Sequence, residues 1–277
     1  MLARFATRAI GTLRTMLYMQ LTGLVLMTAA VPWLGGWGHL ADGSGWRPWF
    51  WGALAGLLNT TSTLALYRSF EIGKMSIVAP ISAGYPALTM VLSALTGERL
   101  TAARSFGITL IVIGVMVVAR GEPAAGDAPR LGGSNSPAGK NLGVGWALFS
   151  GAGFGVMFWI LGIRVVPLLG SAPSVWLIRL TSVVMTTAVI FLLRRPLALP
   201  AKKANPWILG VAVLDTSAYV LNNFGMQREQ VSVVSVLASL YGAVTVGLAA
   251  TILGEKISRM QWVGVVGIFV GIVLISR

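Results

Sequence analysis

The chain has 277 residues, 56% of them hydrophobic and only 10% charged, with a mean hydropathy of +0.80; a soluble domain normally carries about 25% charged residues, so much of this surface must face lipid. The formal net charge of +13 lies on single or paired basic residues between apolar stretches, which excludes a nucleic-acid face and fits the Lys/Arg excess of polytopic membrane proteins. With no cysteine and a single histidine, His39, disulfides, thiolate chemistry and the usual zinc sites are excluded, and no metal or cofactor is expected.

About 20 apolar residues cross the hydrocarbon as a helix. Nine stretches qualify: roughly 15–34, 48–68, 75–97, 103–119, 143–166, 173–193, 206–226, 231–253 and 260–276. Each must be helical, because an unpaired backbone group in lipid costs several kcal/mol. The expected fold is an all-α polytopic bundle. One long connection, 121–142, is rich in Gly, Ala, Pro and Ser and reads as a solvated linker between a first repeat, 1–120, and a second, 143–277.

Residues 76–120 reappear at 232–277, shifted by 156 positions and, after a one-residue insertion, by 157. Ser76, Tyr85 and Thr89 match Ser232, Tyr241 and Thr245; Gly97, Gly107 and Gly114 match Gly254, Gly264 and Gly271. Further upstream, Gly11 falls on Gly170 and Gln20 on Arg179, so the chain opens near the end of what would be a first helix. A half with an odd number of helices enters the membrane opposite to its partner, the arrangement of inverted repeats that enclose a midplane substrate site in secondary transporters. Fourteen Lys and Arg fall on one side and six on the other, which places the former in the cytoplasm and the C-terminus outside.

The repeated pattern resembles the EamA-like, ten-helix branch of the drug/metabolite transporter superfamily. Ser76-Ile77-Val78-Ala79-Pro80-Ile81, Tyr85-Pro86, Gly97-Glu98-Arg99-Leu100 and the glycines Gly107 and Gly114 carry the resemblance, with a second copy in Val231 to Val234, Tyr241-Gly242, Gly254 to Ile257, Gly264 and Gly271. The resemblance implies an inverted-repeat carrier with a central cavity in the plasma membrane, handling small metabolites. It also implies a tenth helix, most of which this sequence lacks, and both termini in the cytoplasm, against the external C-terminus that the charge count favours.

Of eight acidic residues, only Asp215 falls in mid-helix. Carboxylates there usually face a cavity, bind an ion or relay protons, so Asp215 is the candidate coupling residue for protons. Asn59 holds the corresponding place in the first half, near Thr63, and Tyr219 lies one helical turn beyond Asp215. Arg179 is the only basic residue well inside an apolar segment. It lies about two turns from the helix start, so snorkelling to the headgroups is the simplest expectation; the alternatives are a pair with Asp215 or a contact with a substrate carboxylate. Tyr85 and Tyr241, each with a threonine one turn on, present hydroxyls for substrate or for a neighbouring helix. Pro80, Pro86 and Gly242 are expected to bend their helices and mark a hinge or gate. The spaced glycines suit close helix packing within one chain or between two copies of a homodimer.

The leading expectation is a secondary transporter of small polar, amino-acid-like metabolites, working as an exporter by alternating access. A hydrophobic-cation efflux carrier with Asp215 as counter-charge is the alternative, and a non-transporting helper subunit a further one. An enzyme is disfavoured because nucleophiles, metal ligands and carboxylate pairs do not cluster.

Overall fold

The computed structural model describes residues 10–34, 36–37, 45–73, 75–97, 101–120, 142–194, 205–228, 230–239, 241–252, 254 and 258–275. Residues 121–141 of the expected linker, the N-terminal stretch matched to the second repeat before residue 10, His39, and several counted basic residues, Arg4, Lys140 and Lys256 among them, lie outside the described residues. All regular elements described are helical: α1 Thr12–Ala30, α2 Arg47–Ile72, α3 Met75–Ala83, α4 Tyr85–Leu95, α5 Ala102–Arg120, α6 Leu142–Ile160, α7 Val166–Leu169, α8 Ser171–Leu192, α9 Asn205–Arg228, α10 Val231–Ser239, α11 Tyr241–Ile252 and α12 Arg259–Ile275.

These elements follow the expected segments, with three breaks. The segment 75–97 divides at Gly84, so that Pro86 sits in the first turn of α4, where its missing N–H costs no hydrogen bond. Pro80, by contrast, lies inside α3 without ending it. The segment 231–253 divides at the equivalent place, between α10 and α11. A π-helical turn, Leu161–Val165, joins α6 to α7 just before Pro167, where the ladder must already accommodate a residue without an N–H. The spans Met75–Leu95, Gly143–Leu169 and Ser171–Leu192 are long and apolar enough to cross a membrane, and α5 and α12 contain shorter apolar stretches. Hydroxyls start the last helix of each half. Thr101 Oγ1 accepts the Arg104 N–H at 3.4 Å, while Ser258 and Gln261 form a reciprocal capping box at 3.2 and 3.0 Å.

The repeats meet along reciprocal contacts. In α5, Gly114 faces the Gly264 carbonyl of α12, and a Cβ there would come within 2.7 Å of that oxygen; Gly271 faces the Gly107 carbonyl at the same 2.7 Å. Ile268 and Ile111 exchange places in the same way. As the residue number falls along α5 it rises along α12, so the two helices run antiparallel, as halves of opposite orientation require. These glycines therefore let two helices of one chain approach closely. In a second pair of contacts, Gly23 of α1 faces Thr216 of α9, and its counterpart Ser182 of α8 faces Thr60 of α2. The broken helices also cross at their breaks: Gly242 faces the Cβ of Ala83, and the Tyr85 hydroxyl donates to the Ser235 carbonyl at 2.9 Å.

Gly114→Ala forces a methyl against backbone and should cost about 1–3 kcal/mol by overpacking. Gly145→Ala, at a position with nothing within 4 Å of the added carbon, should be neutral or gain up to about 1 kcal/mol in helix propensity. Thermal unfolding followed by size exclusion in detergent checks the pair; equal midpoints for the two variants would contradict the packing.

Candidate functional site

Arg179 organises the interior. It sits near the middle of α8 with its side chain 1% exposed, so it does not snorkel. The reason is direction: the face of α8 that carries Arg179 packs against α1 and α9, not toward a membrane surface. Its Nη2 lies 2.7 Å from Asp215 Oδ2 of α9, its Nη1 donates to Gln20 Oε1 of α1 at 2.5 Å, and its guanidinium carbon stands 5.0 Å from the centre of the Tyr219 ring. A desolvated cation over an aromatic face gains about 2 kcal/mol. Gly23, one turn after Gln20, leaves the space that the Arg179 stem occupies. Gln20 is not among the residues expected at the site, although the repeat alignment places it on Arg179 and is the one signal that marks it.

A second polar chain starts from Asn59, the counterpart of Asp215. Asn59 is buried in α2; its Oδ1 accepts the Tyr219 hydroxyl at 2.6 Å and its Nδ2 donates to Ser182 Oγ at 3.1 Å, which in turn lies 2.9 Å from Thr60 Oγ1. Tyr219 thus closes one network over both halves, with its ring on Arg179 and its hydroxyl on Asn59. Thr63 is buried on the same helix and does not line the adjoining cavity.

That cavity, of about 250 Å³, is walled by five aromatic rings: Tyr85 of α4, Phe154 and Phe158 of α6, Tyr219 of α9 and Tyr241 of α11. Phe158 stacks between Tyr85 (4.9 Å, 22°) and Tyr219 (6.2 Å, 16°). Asp215 is the one charged residue type among the lining residues, with its side chain 35% exposed; Asn222, Leu66, Ala218 and Ala238 complete the lining. Arg179 lies behind Asp215 and does not line the cavity. On the α9 side the wall is open: Ala218 and Leu214 are exposed, whereas their counterparts Ser62 and Leu58 of α2 pack beside Gly153 of α6. Among the described residues, the Tyr241 hydroxyl and Asn222 Oδ1 are buried without a hydrogen-bond partner.

The structure therefore brings Asn59, Arg179, Asp215 and Tyr219 into one junction, and Tyr85, Asp215, Tyr219 and Tyr241 onto one cavity. The Tyr85 hydroxyl is engaged with Ser235, and Thr89 and Thr245 bond to backbone carbonyls of Gly155 and Tyr241 at 3.0 and 2.8 Å, a packing role. Pro80, Pro86 and Gly242 lie outside the cavity lining, near the crossing of the broken helices. A larger groove of about 830 Å³ between α1, α2, α6 and α8 includes Arg68 and Glu71, but these pair with each other at 2.9 Å at an exposed end, so it offers less that is specific to a solute.

Removing Asp215 alone leaves a buried guanidinium unpaired, which costs about 3–5 kcal/mol. Asp215→Ala should therefore lower expression and thermal stability more than Asp215→Ala combined with Arg179→Leu. A double variant less stable than the single one would rule the pairing out.

Comparison with known proteins agrees with this architecture. A curated relative, an uncharacterized protein of Methanocaldococcus jannaschii, is 39% identical over 66 residues, 24% of this chain, and the match spans about half (48%) of that relative. A solved crystal structure superposes with a TM-score of 0.68 over 99% of this chain and 90% of that one, at 17% identity, which is a likeness of fold. The EamA-like transporter family matches residues 1–120 and 141–277. Two matched halves, each ending in one of the antiparallel glycine-packed helices, cover most of the sequence: the chain belongs to the EamA-like transporter family, membrane transporters of the drug/metabolite type.

Proposed function

We propose that the chain is a secondary carrier of the plasma membrane that exports a small organic metabolite bearing an amino group, by alternating access at the interface of its two inverted repeats. The observation that carries this reading is the cavity beside Asp215, to which both halves contribute: Leu66 and Tyr85 from the first, Phe158, Tyr219 and Tyr241 from the second. Its volume of about 250 Å³ is just below the range of about 300–1,000 Å³ typical of drug-sized sites, so the solute is small. Helices broken at Gly84 and before Tyr241 supply discontinuities of the kind that let one bundle rock against another. In this reading Pro86 and Gly242 act at the hinge, with Pro80 beside it. Among the described residues, a lone carboxylate without a metal-ligand cluster beside it fits transport better than catalysis.

Coupling is assigned to Asp215. Among the described residues, its neighbours with charge or a titratable hydroxyl include Arg179, Tyr219 and Tyr67, and neutralising the carboxylate breaks its pair with Arg179, so proton binding and rearrangement of the junction are linked. In proteoliposomes, Asp215→Asn should abolish uptake driven by a pH gradient and, because the same carboxylate lines the solute cavity, weaken solute exchange severalfold. Gradient-driven uptake at the native rate would remove Asp215 from this role, and absence of any solute flux by the native protein would overturn the carrier reading itself.

A further inference from the structure

The wall of the cavity is unequal in what it offers a ligand. The Arg179–Asp215 pair is neutral as a unit, but it is oriented: the guanidinium is buried behind the wall and the carboxylate faces in. Asp215 Oδ2 holds the ion pair, which leaves Oδ1 to accept from a ligand. Asn222 Oδ1, two turns further along α9, is a buried acceptor without a donor. Asp215 and Asn222 are seven residues apart and so share one face of the helix. Two acceptors on that face therefore await N–H or O–H groups. Most of the remaining wall is five aromatic rings, whose faces attract a cation and pack against a flat apolar body.

Donors for an anion are scarce by comparison. Tyr219 and Tyr85 direct their hydroxyls to Asn59 and Ser235, and Asn222 Nδ2 faces the Met226 sulfur at 3.9 Å. Of the three tyrosine hydroxyls in the wall, that of Tyr241 is the unengaged one. A carboxylate placed here would lie beside Asp215 with no cation among the lining residues to meet it.

Building on the carrier reading, we propose that the site selects a compact aromatic or branched monoamine, bound as its ammonium, over the amino acid that differs from it by a carboxylate. The ammonium donates to Asp215 Oδ1, and the apolar body lies against Phe158 and Tyr241. Leu66, the counterpart of Asn222 in the first half, lacks the acceptor, so the second half supplies the polar end of the site.

Calorimetric binding to the full chain in lipid nanodiscs tests this with three probes: 2-phenylethylamine, L-phenylalanine and the neutral 2-phenylethanol. The amine should bind at least about tenfold more tightly than either of the others, a difference of about 1.4 kcal/mol. Phenylalanine binding as tightly as the amine, an alcohol as good as the amine, or no binding of the amine overturns the proposal. The carrier reading is judged separately by flux. Phenylalanine bound and transported in preference to the amine would sink the selectivity and keep the carrier, whereas amine binding without flux into sealed vesicles would support the selectivity and sink the carrier.

Discussion

A guanidinium placed inside hydrocarbon must find its partners within the protein. An isolated arginine at the centre of a membrane helix costs at least about 2.5–3.5 kcal/mol even on insertion scales, and Arg179 has no route to the headgroups. Its partners come from two neighbouring helices: Gln20 on α1, and Asp215 with the Tyr219 ring one turn further on along α9. Gln20 belongs to the first repeat and the other two to the second, so satisfying one charge draws the halves together. Tyr219 extends the constraint, since its hydroxyl is held by Asn59 of the first repeat. The cavity wall then follows, because Tyr219 is also one of its five rings and Asp215 the charged residue among its lining.

Duplication explains the frame and departure from duplication explains the site. The glycine contacts of α5 and α12 are nearly the same in both directions, at 2.7 Å each, and the Gly23–Thr216 and Ser182–Thr60 contacts occupy equivalent places. Where chemistry is needed the copies diverge. Gln20 stands opposite Arg179, Asn59 opposite Asp215, Thr63 opposite Tyr219 and Leu66 opposite Asn222. Asp215, Tyr219, Asn222 and Tyr241 of the second half carry most of the polar groups of the cavity. The first half contributes support: an amide that orients Arg179, an amide that orients Tyr219, and the Tyr85 ring.

Much of this is legible in the residues alone. Long apolar runs separated by polar turns state where helices lie, and two copies in register state that the halves are related. Asp215 stands out because ionisable residues are costly in mid-helix. The partner of Arg179 is not legible, since two turns from a helix end is compatible with snorkelling and with burial alike. Only the direction in which α8 turns that face decides. Phe154 and Phe158 escape for a different reason: α6 is apolar all round, and nothing in such a run distinguishes a ring facing a cavity from one facing lipid. The break at Gly84 is foreshadowed by Pro86, but its position one residue before Tyr85 depends on Pro86 taking the first turn of α4.

Alternating access requires one solute chamber that both faces of the membrane reach in turn. Because the chain has no cysteine, a single Asn222→Cys thiol in the cavity wall reports access without background. Membrane-impermeant maleimide applied to sealed vesicles of each orientation should label it from both sides, with the two rates changing in opposite directions when solute is supplied on one side. Labelling confined to one side under every condition would contradict alternating access at this cavity.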